Sequence, residues 1–87
     1  MSQLTIGDLE KCFKDASDQR KGYIGVLISM EGFPLPEAII NESANFDTKL
    51  AYYKKAYDKH LILKTFKGIR IIGFAHGNSF KALQRSL

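Results

Sequence analysis

The stretch Tyr23-Ile24-Gly25-Val26-Leu27-Ile28-Ser29-Met30-Glu31, with Gly32-Phe33-Pro34-Leu35-Pro36 and Glu37-Ala38-Ile39-Ile40-Asn41 behind it, decides the fold. The first segment is rich in β-branched residues and reads as a strand. Ile24, Val26, Ile28 and Met30 share one face. Tyr23, Gly25, Leu27 and Ser29 share the other, which is polar enough to meet solvent or a second layer. The two prolines remove ladder donors, so Gly32–Pro36 reads as a loop. Glu37–Asn41 then resumes a short strand, giving an antiparallel hairpin with a wide, proline-stiffened connection.

On the N-terminal side, Ile6, Leu9, Phe13 and Ala16 recur at helical spacing, with Cys12 beside the stripe. Thr5 suits an N-cap and Asp8 the first turn. Arg20, Lys21 and then Gly22 predict the end of this helix, with the glycine left-handed. On the C-terminal side, Phe46, Leu50, Tyr53 and Tyr57 form the stripe of a helix over Asp47–Asp58, capped by Asn45 or Asp47 and extended by Leu61. Leu61–Phe66 reads as a strand, and Lys67-Gly68 as a two-residue turn with glycine at positive φ. Ile69–Ala75 is apolar on both faces, which predicts a central strand. Asn78 or Ser79 caps a final helix whose Phe80, Leu83 and Leu87 share a face, with residues 79–87 expected to pack loosely. Gly25 and Gly73, inside strands, are expected beneath a packed helix.

The order α-β-β-α-β-β-(α) implies an α+β fold: an antiparallel sheet of three to four strands, with helices on one face. Eighty-seven residues make one small domain, 1–87.

Charge is split along the chain. Residues 1–46 hold four basic residues and seven acids, a net −3, whereas residues 47–87 hold nine basic residues and two acids, a net +7. Such asymmetry favours an anionic partner on one side. Cys12 is the only cysteine, so no intrachain disulfide forms, as in a reducing compartment. Met1-Ser2-Gln3-Leu4-Thr5 lacks a signal-peptide pattern, and the apolar runs fall far below the ~20 residues that cross a bilayer. A cytoplasmic location with no membrane partner is expected.

No motif for chemistry stands out. Cys12, His60 and His76 are widely spaced, without C-x-x-C, H-x-x-x-H or H-E-x-x-H, so two surface histidines and a buried thiol are expected in preference to a metal site. Cys12 with His60 or His76 is the one thiolate pair available, but a thiol beside an apolar stripe packs as a small hydrophobe. Glu31, Glu37 and Glu42 about the hairpin read as solubilising charge. The glycines form neither G-x-G-x-x-G nor a P-loop. The expectation is a protein without catalytic residues, metal or cofactor.

Two surfaces remain. Phe33 and Leu35 alternate with prolines that hold the chain extended, which suits a preorganised contact with a protein partner. The other reading folds both side chains over the core. A neighbouring strand edge is open to pairing with another chain, including a homodimer. On the second helix, Tyr52, Lys55 and Lys59 share the face opposite the apolar stripe, with Lys49 beside them. A tyrosine among lysines can stack on a base while the lysines neutralise phosphates. Lys64, Lys67, Arg70, Lys81 and Arg85 extend that nucleic-acid-binding candidate. The other reading is a helix whose outward face is simply lysine-rich.

Three segments carry a resemblance: Gly32-Phe33-Pro34-Leu35-Pro36-Glu37-Ala38-Ile39-Ile40-Asn41, Lys49-Leu50-Ala51-Tyr52-Tyr53-Lys54-Lys55-Ala56-Tyr57 and Gly68-Ile69-Arg70-Ile71-Ile72-Gly73-Phe74. From the first strand onward the chain resembles small proteins of phages and mobile elements of Gram-positive bacteria. The resemblance implies an accessory binding protein of a bacterial cytoplasm and carries over no catalytic residues.

Overall fold

Thr5 opens the first helix, α1 (Ile6–Asp18), through a capping box. The Asp8 amide donates to Thr5 Oγ1 at 3.3 Å, and the Thr5 amide donates to Asp8 Oδ2 at 2.8 Å. The computed structural model describes residues 4–87. At the other end the left-handed residue is Arg20, with φ 55°, and not Gly22. The Arg20 amide donates to the Ser17 carbonyl and the Lys21 amide to the Ala16 carbonyl, a Schellman closure with arginine where glycine is usual. Gly22 lies two residues further on, where its amide donates to Asn78 Oδ1 at 3.0 Å.

Three antiparallel strands follow: β1 (Tyr23–Met30), β2 (Glu37–Glu42) and β3 (Ile69–Gly77), in the order β2-β1-β3. The expected hairpin is present, with Ile24 opposite Asn41 and Val26 opposite Ile39. The central strand, however, is β1. β3 lies at an edge, and its apolarity on both faces has another cause: the sheet is covered on both sides. Between the Leu27–Gly73 and Ile28–Ile71 pairs the register slips and Ile72 is extra. This bulge keeps Ile69 and Ile71 on the same face as Phe74.

A 3-10 turn over Ser43–Asn45 leads into α2 (Phe46–Ala56). Asn45 takes the N-cap position without a side-chain bond, and Asp47 sits in the first turn, where its charge is favourable. α2 stops short of the expected Asp58 because Tyr57 is extended and bridges Leu63. The final helix, α3 (Phe80–Ser86), is capped by Ser79, whose Oγ accepts from the Ala82 amide at 3.1 Å.

The helices lie on both faces of the sheet, not on one. α1 and α2 cover the face of Ile24, Val26 and Ile28, and with them bury Leu9, Phe13, Ala16, Phe46, Tyr53 and Tyr57. The Phe13 ring meets Phe46 edge-on, with centroids 5.6 Å apart. α3 covers the opposite face. A Cβ on Gly25 would stand 2.9 Å from Leu87 Cδ1 and 3.7 Å from Leu83 Cδ1, so this glycine sits beneath a helix as expected. Gly73 does not, since a Cβ there would meet only Leu27, at 3.9 Å.

The expected strand Leu61–Phe66 is reduced to two isolated bridges, Tyr57–Leu63 and Ile62–Arg70. Asp58 explains why. Its Oδ1 accepts from the His60 and Ile62 amides, folding the chain into a tight turn. Leu61 then takes φ 65° and is fully buried. Gly68 does not take a positive φ. A Cβ there would come within 2.6 Å of Glu31 Oε2, so glycine serves close packing. Among the described residues, no helix is long and apolar enough to cross a membrane.

Candidate functional site

The β1–β2 connection is anchored at its base and open at its tip. The Glu31 amide donates to the Gly68 carbonyl and the Phe33 amide to the Met30 carbonyl, with Gly32 turning at φ 89°. Beyond that base, Phe33 is 64% exposed and Leu35 78% exposed. They do not fold back over the core.

Beside the loop runs the free edge of β2. The Ser43 amide donates to the Gly22 carbonyl at 2.9 Å. Antiparallel residues alternate between bonding the partner strand and facing away from it. The register therefore turns the main-chain groups of Ala38, Ile40 and Glu42 away from β1. The other outer edge, that of β3, is occupied along its first residues: the Leu63 amide donates to the Ile69 carbonyl and the Ile71 amide to the Leu61 carbonyl. Among the described residues, none pairs with the outer edge of β2 in this way.

Beneath the β2 edge, facing α2, lies a cavity of about 290 Å³. Ile28, Met30 and Ile39 supply apolar lining from the strands, and Tyr52, Tyr53 and Tyr57 supply an aromatic wall from α2 and its end. Glu37 and Lys49 add one charge of each sign. The Lys49 ammonium stands 5.6 Å from the Tyr52 ring centroid, within cation–π range. Tyr57 is 4% exposed, and its phenol is pushed up to about 12, by burial first and then by Tyr52 and Tyr53.

One residue that sequence reasoning took for the end of a strand proves structural. Asn41 is 1% exposed and faces α2. Its Nδ2 donates to the Ile24 carbonyl at 3.2 Å, and its Oδ1 accepts from the Tyr53 hydroxyl at 3.4 Å. It ties β2 to both β1 and α2. The signal available was parity: if Ile39 faces inward, so does Asn41.

The basic candidates do not form one surface. Tyr52 is 51% exposed and Lys55 is exposed, both on α2. Lys59 lies past the end of the helix, in the Asp58 turn, and not on the shared helical face. Arg70 pairs with Ser29, on the sheet face opposite α2, because its neighbours Ile69 and Ile71 turn toward the core. It lines a surface hollow with Lys67 and Glu31.

Cys12 and His76 line one open groove with Asp8, Lys11 and Asp15, whereas His60 lines another hollow with Arg70. Burial, and then the neighbouring Asp15, push the Cys12 thiol up to about 11. His76 Nδ1 is buried without a hydrogen-bond partner among the described residues. No three His, Cys, Asp or Glu side chains among the described residues gather as a metal site. Glu37 and Glu42 project to opposite faces of β2, an odd number of residues apart. Compared with protein families, curated proteins and solved structures, the chain matches none.

Proposed function

We propose that the chain is a small, non-enzymatic accessory protein that works through protein–protein contact at the Phe33–Pro36 loop and the adjoining β2 edge. The observation that carries this reading is the exposure of Phe33 and Leu35, at 64% and 78%, on a loop whose base is pinned. The tip bends at Pro34 and Leu35 and is not extended as expected, but two prolines fix φ there, so less conformational freedom is lost when a partner orders it. Phe33 offers the kind of aromatic side chain that interface cores are enriched in. In this proposal the role is accessory to a phage or mobile element and is played in the cytoplasm. The raised thiol of Cys12 supports the non-enzymatic part, because a protonated thiol is a poor nucleophile near neutral pH.

The double variant Phe33→Ser/Leu35→Ser tests the reading against Phe66→Ser, a control at a phenylalanine 49% exposed elsewhere. Both proteins should melt within about 0.5 kcal/mol of wild type, as surface changes do. In quantitative affinity capture, only the loop variant should lose the partner that wild type retains. An unfolded loop variant, or an unchanged partner set, would sink the reading.

The exposed Tyr52 beside Lys49 and Lys55 favours a second reading, a nucleic-acid contact on α2. Fluorescence anisotropy with labelled DNA and RNA decides it: the affinity should fall steeply with salt and with Lys55→Glu. The structure weakens the stacking part, since one face of the Tyr52 ring already receives Lys49.

A further inference from the structure

We infer that the β2 edge receives an extended, basic peptide of a partner protein, one apolar side chain of which seats in the Tyr52/Tyr53/Tyr57 cavity; this rests on the protein-contact reading above. Three independent features converge on that occupant. The first is the main chain. Among the described residues, the outward donors and acceptors of Ala38, Ile40 and Glu42 have no main-chain partner, and another extended backbone can pair with such a row.

The second is the cavity. A strand added to β2 places every second side chain on the face of Glu37 and Ile39, the two β2 residues that line the cavity. Its volume of about 290 Å³ is at the low end for ligand pockets and suits one bulky side chain better than a whole cofactor. Tyr57, at 4% exposure, lines this space with its ring.

The third is charge. Residues 22–48, which form the whole hairpin and the approach to α2, contain Glu31, Glu37, Glu42 and Asp47 and no lysine, arginine or histidine. Glu37 and Glu42 stand at the two ends of β2. Glu31 lines a hollow with Lys67 and Arg70, and Asp47 another with Lys14, so a basic strand is attracted at the two ends of β2, by Glu37 and Glu42. A second copy of this chain, offering the same acidic edge, is not, so the charge selects a different partner over self-pairing.

The test is selection of a random linear peptide library, displayed on phage, against the immobilised full chain, followed by anisotropy with fluorescein-labelled copies of the recovered peptides. The expected peptides alternate apolar with lysine or arginine, and their affinity falls as salt rises. Replacing their bulkiest apolar residue by alanine should weaken binding about tenfold or more. Ile40→Pro, which removes an outward amide at a position where an edge strand accepts proline, should weaken it to a similar degree. Methylating alternate peptide nitrogens should do the same without altering the protein, which covers the case of an Ile40→Pro chain that fails to fold. Amide exchange at Ala38, Ile40 and Glu42 should slow on binding.

Recovery of acidic peptides, or of none, overturns the inference. Peptides that tolerate both nitrogen methylation and Ile40→Pro but lose binding to Phe33→Ser/Leu35→Ser also overturn it, and leave the loop reading standing. Indifference to all these changes removes both. Sedimentation that shows dimers abolished by Ile40→Pro would make a second copy the occupant, and the basic-peptide inference would fall.

Discussion

The two faces of the β-sheet are built to different standards. On the α1/α2 face, eleven apolar residues, from Leu9 to Ile71, are at most 6% exposed and form one continuous cluster. On the α3 face, only Leu83 of the helix is fully covered, while Ile40, Phe80 and Leu87 stand between 36% and 58% exposed. α3 packs on β3 and β1 and leaves β2 largely uncovered on this side. One face therefore holds the fold, and the other is a thin cover. The surfaces assigned to binding, the loop tip and the β2 edge, lie outside the dense cluster, where change is tolerated.

The sharpest way to break this contrast is to remove a phenylalanine from each side. Phe13→Ala, at 2% exposure among Phe46 and Tyr53, should cost about 3–5 kcal/mol, enough to unfold much of a domain this size. Phe80→Ala, at 58% exposure, should cost under about 1 kcal/mol although its ring packs 5.1 Å from Tyr23. Urea titrations of the two variants compare them directly. Equal losses would mean that α3 is as structural as α1.

Asn41 comes next, because it joins β2 to the dense face. Asn41→Ala leaves the Tyr53 hydroxyl without its partner and removes the side-chain bond to the Ile24 carbonyl, which keeps its ladder bond, a loss of about 1–3 kcal/mol. A urea midpoint close to wild type would show that the bond between Asn41 and Tyr53 contributes little.

Smaller still is Gly25→Ala. The added methyl meets the tip of Leu87, a flexible end that can swing away, so global stability should fall by less than about 1 kcal/mol. Amide exchange in α3 should nevertheless quicken while exchange in α1 is unchanged. Quickening in both helices would mean that the two faces unfold as one unit.

How much of this was legible in the sequence differs between the same two faces. Ile24, Val26 and Ile28 alternate, and Leu9, Phe13 and Ala16 recur at helical spacing, so the dense face follows from periodicity alone. The thin face left weaker signs: Gly25 inside a strand, and Phe80, Leu83 and Leu87 sharing a side of a short helix. Those signs allow a covering helix but do not say on which face it lies, which is how all the helices came to be expected together. β3 misled in the same way, since an apolar stretch reads alike in a central strand and in an edge strand covered on both sides. The lost strand at Leu61–Phe66 had a local cause invisible to apolar patterning, the Asp58 side chain binding two downstream amides. At the candidate site, Phe33 and Leu35 were legible as apolar residues on a stiff loop, but their exposure was not. The cavity was not legible at all, because its lining comes from five separate stretches of chain.

The finest probe of the dense face is its response to alkali. Burial raises the Cys12 thiol from its ordinary 9.0 to about 11 and the Tyr57 phenol from 10.0 to about 12. Both groups hold their protons more tightly when folded than when unfolded. Their contribution is therefore complete below about pH 9, fades as the unfolded chain ionises first, and is gone once the folded groups also ionise near pH 12. Tyr57→Phe removes the upper part of that window. Near neutral pH it should change stability little, since no protein hydroxyl partner is lost, and above pH 10 it should be the more stable protein. Cys12→Ala should act one step lower, from about pH 9, where the unfolded thiol begins to ionise. Thermal melts of the three proteins between pH 8 and 12 test the order. If Tyr57→Phe tracks wild type throughout, the phenol ionises as freely in the folded protein as in water. The wall of the cavity would then be wet, and the contrast between the two faces would stop short of Tyr57.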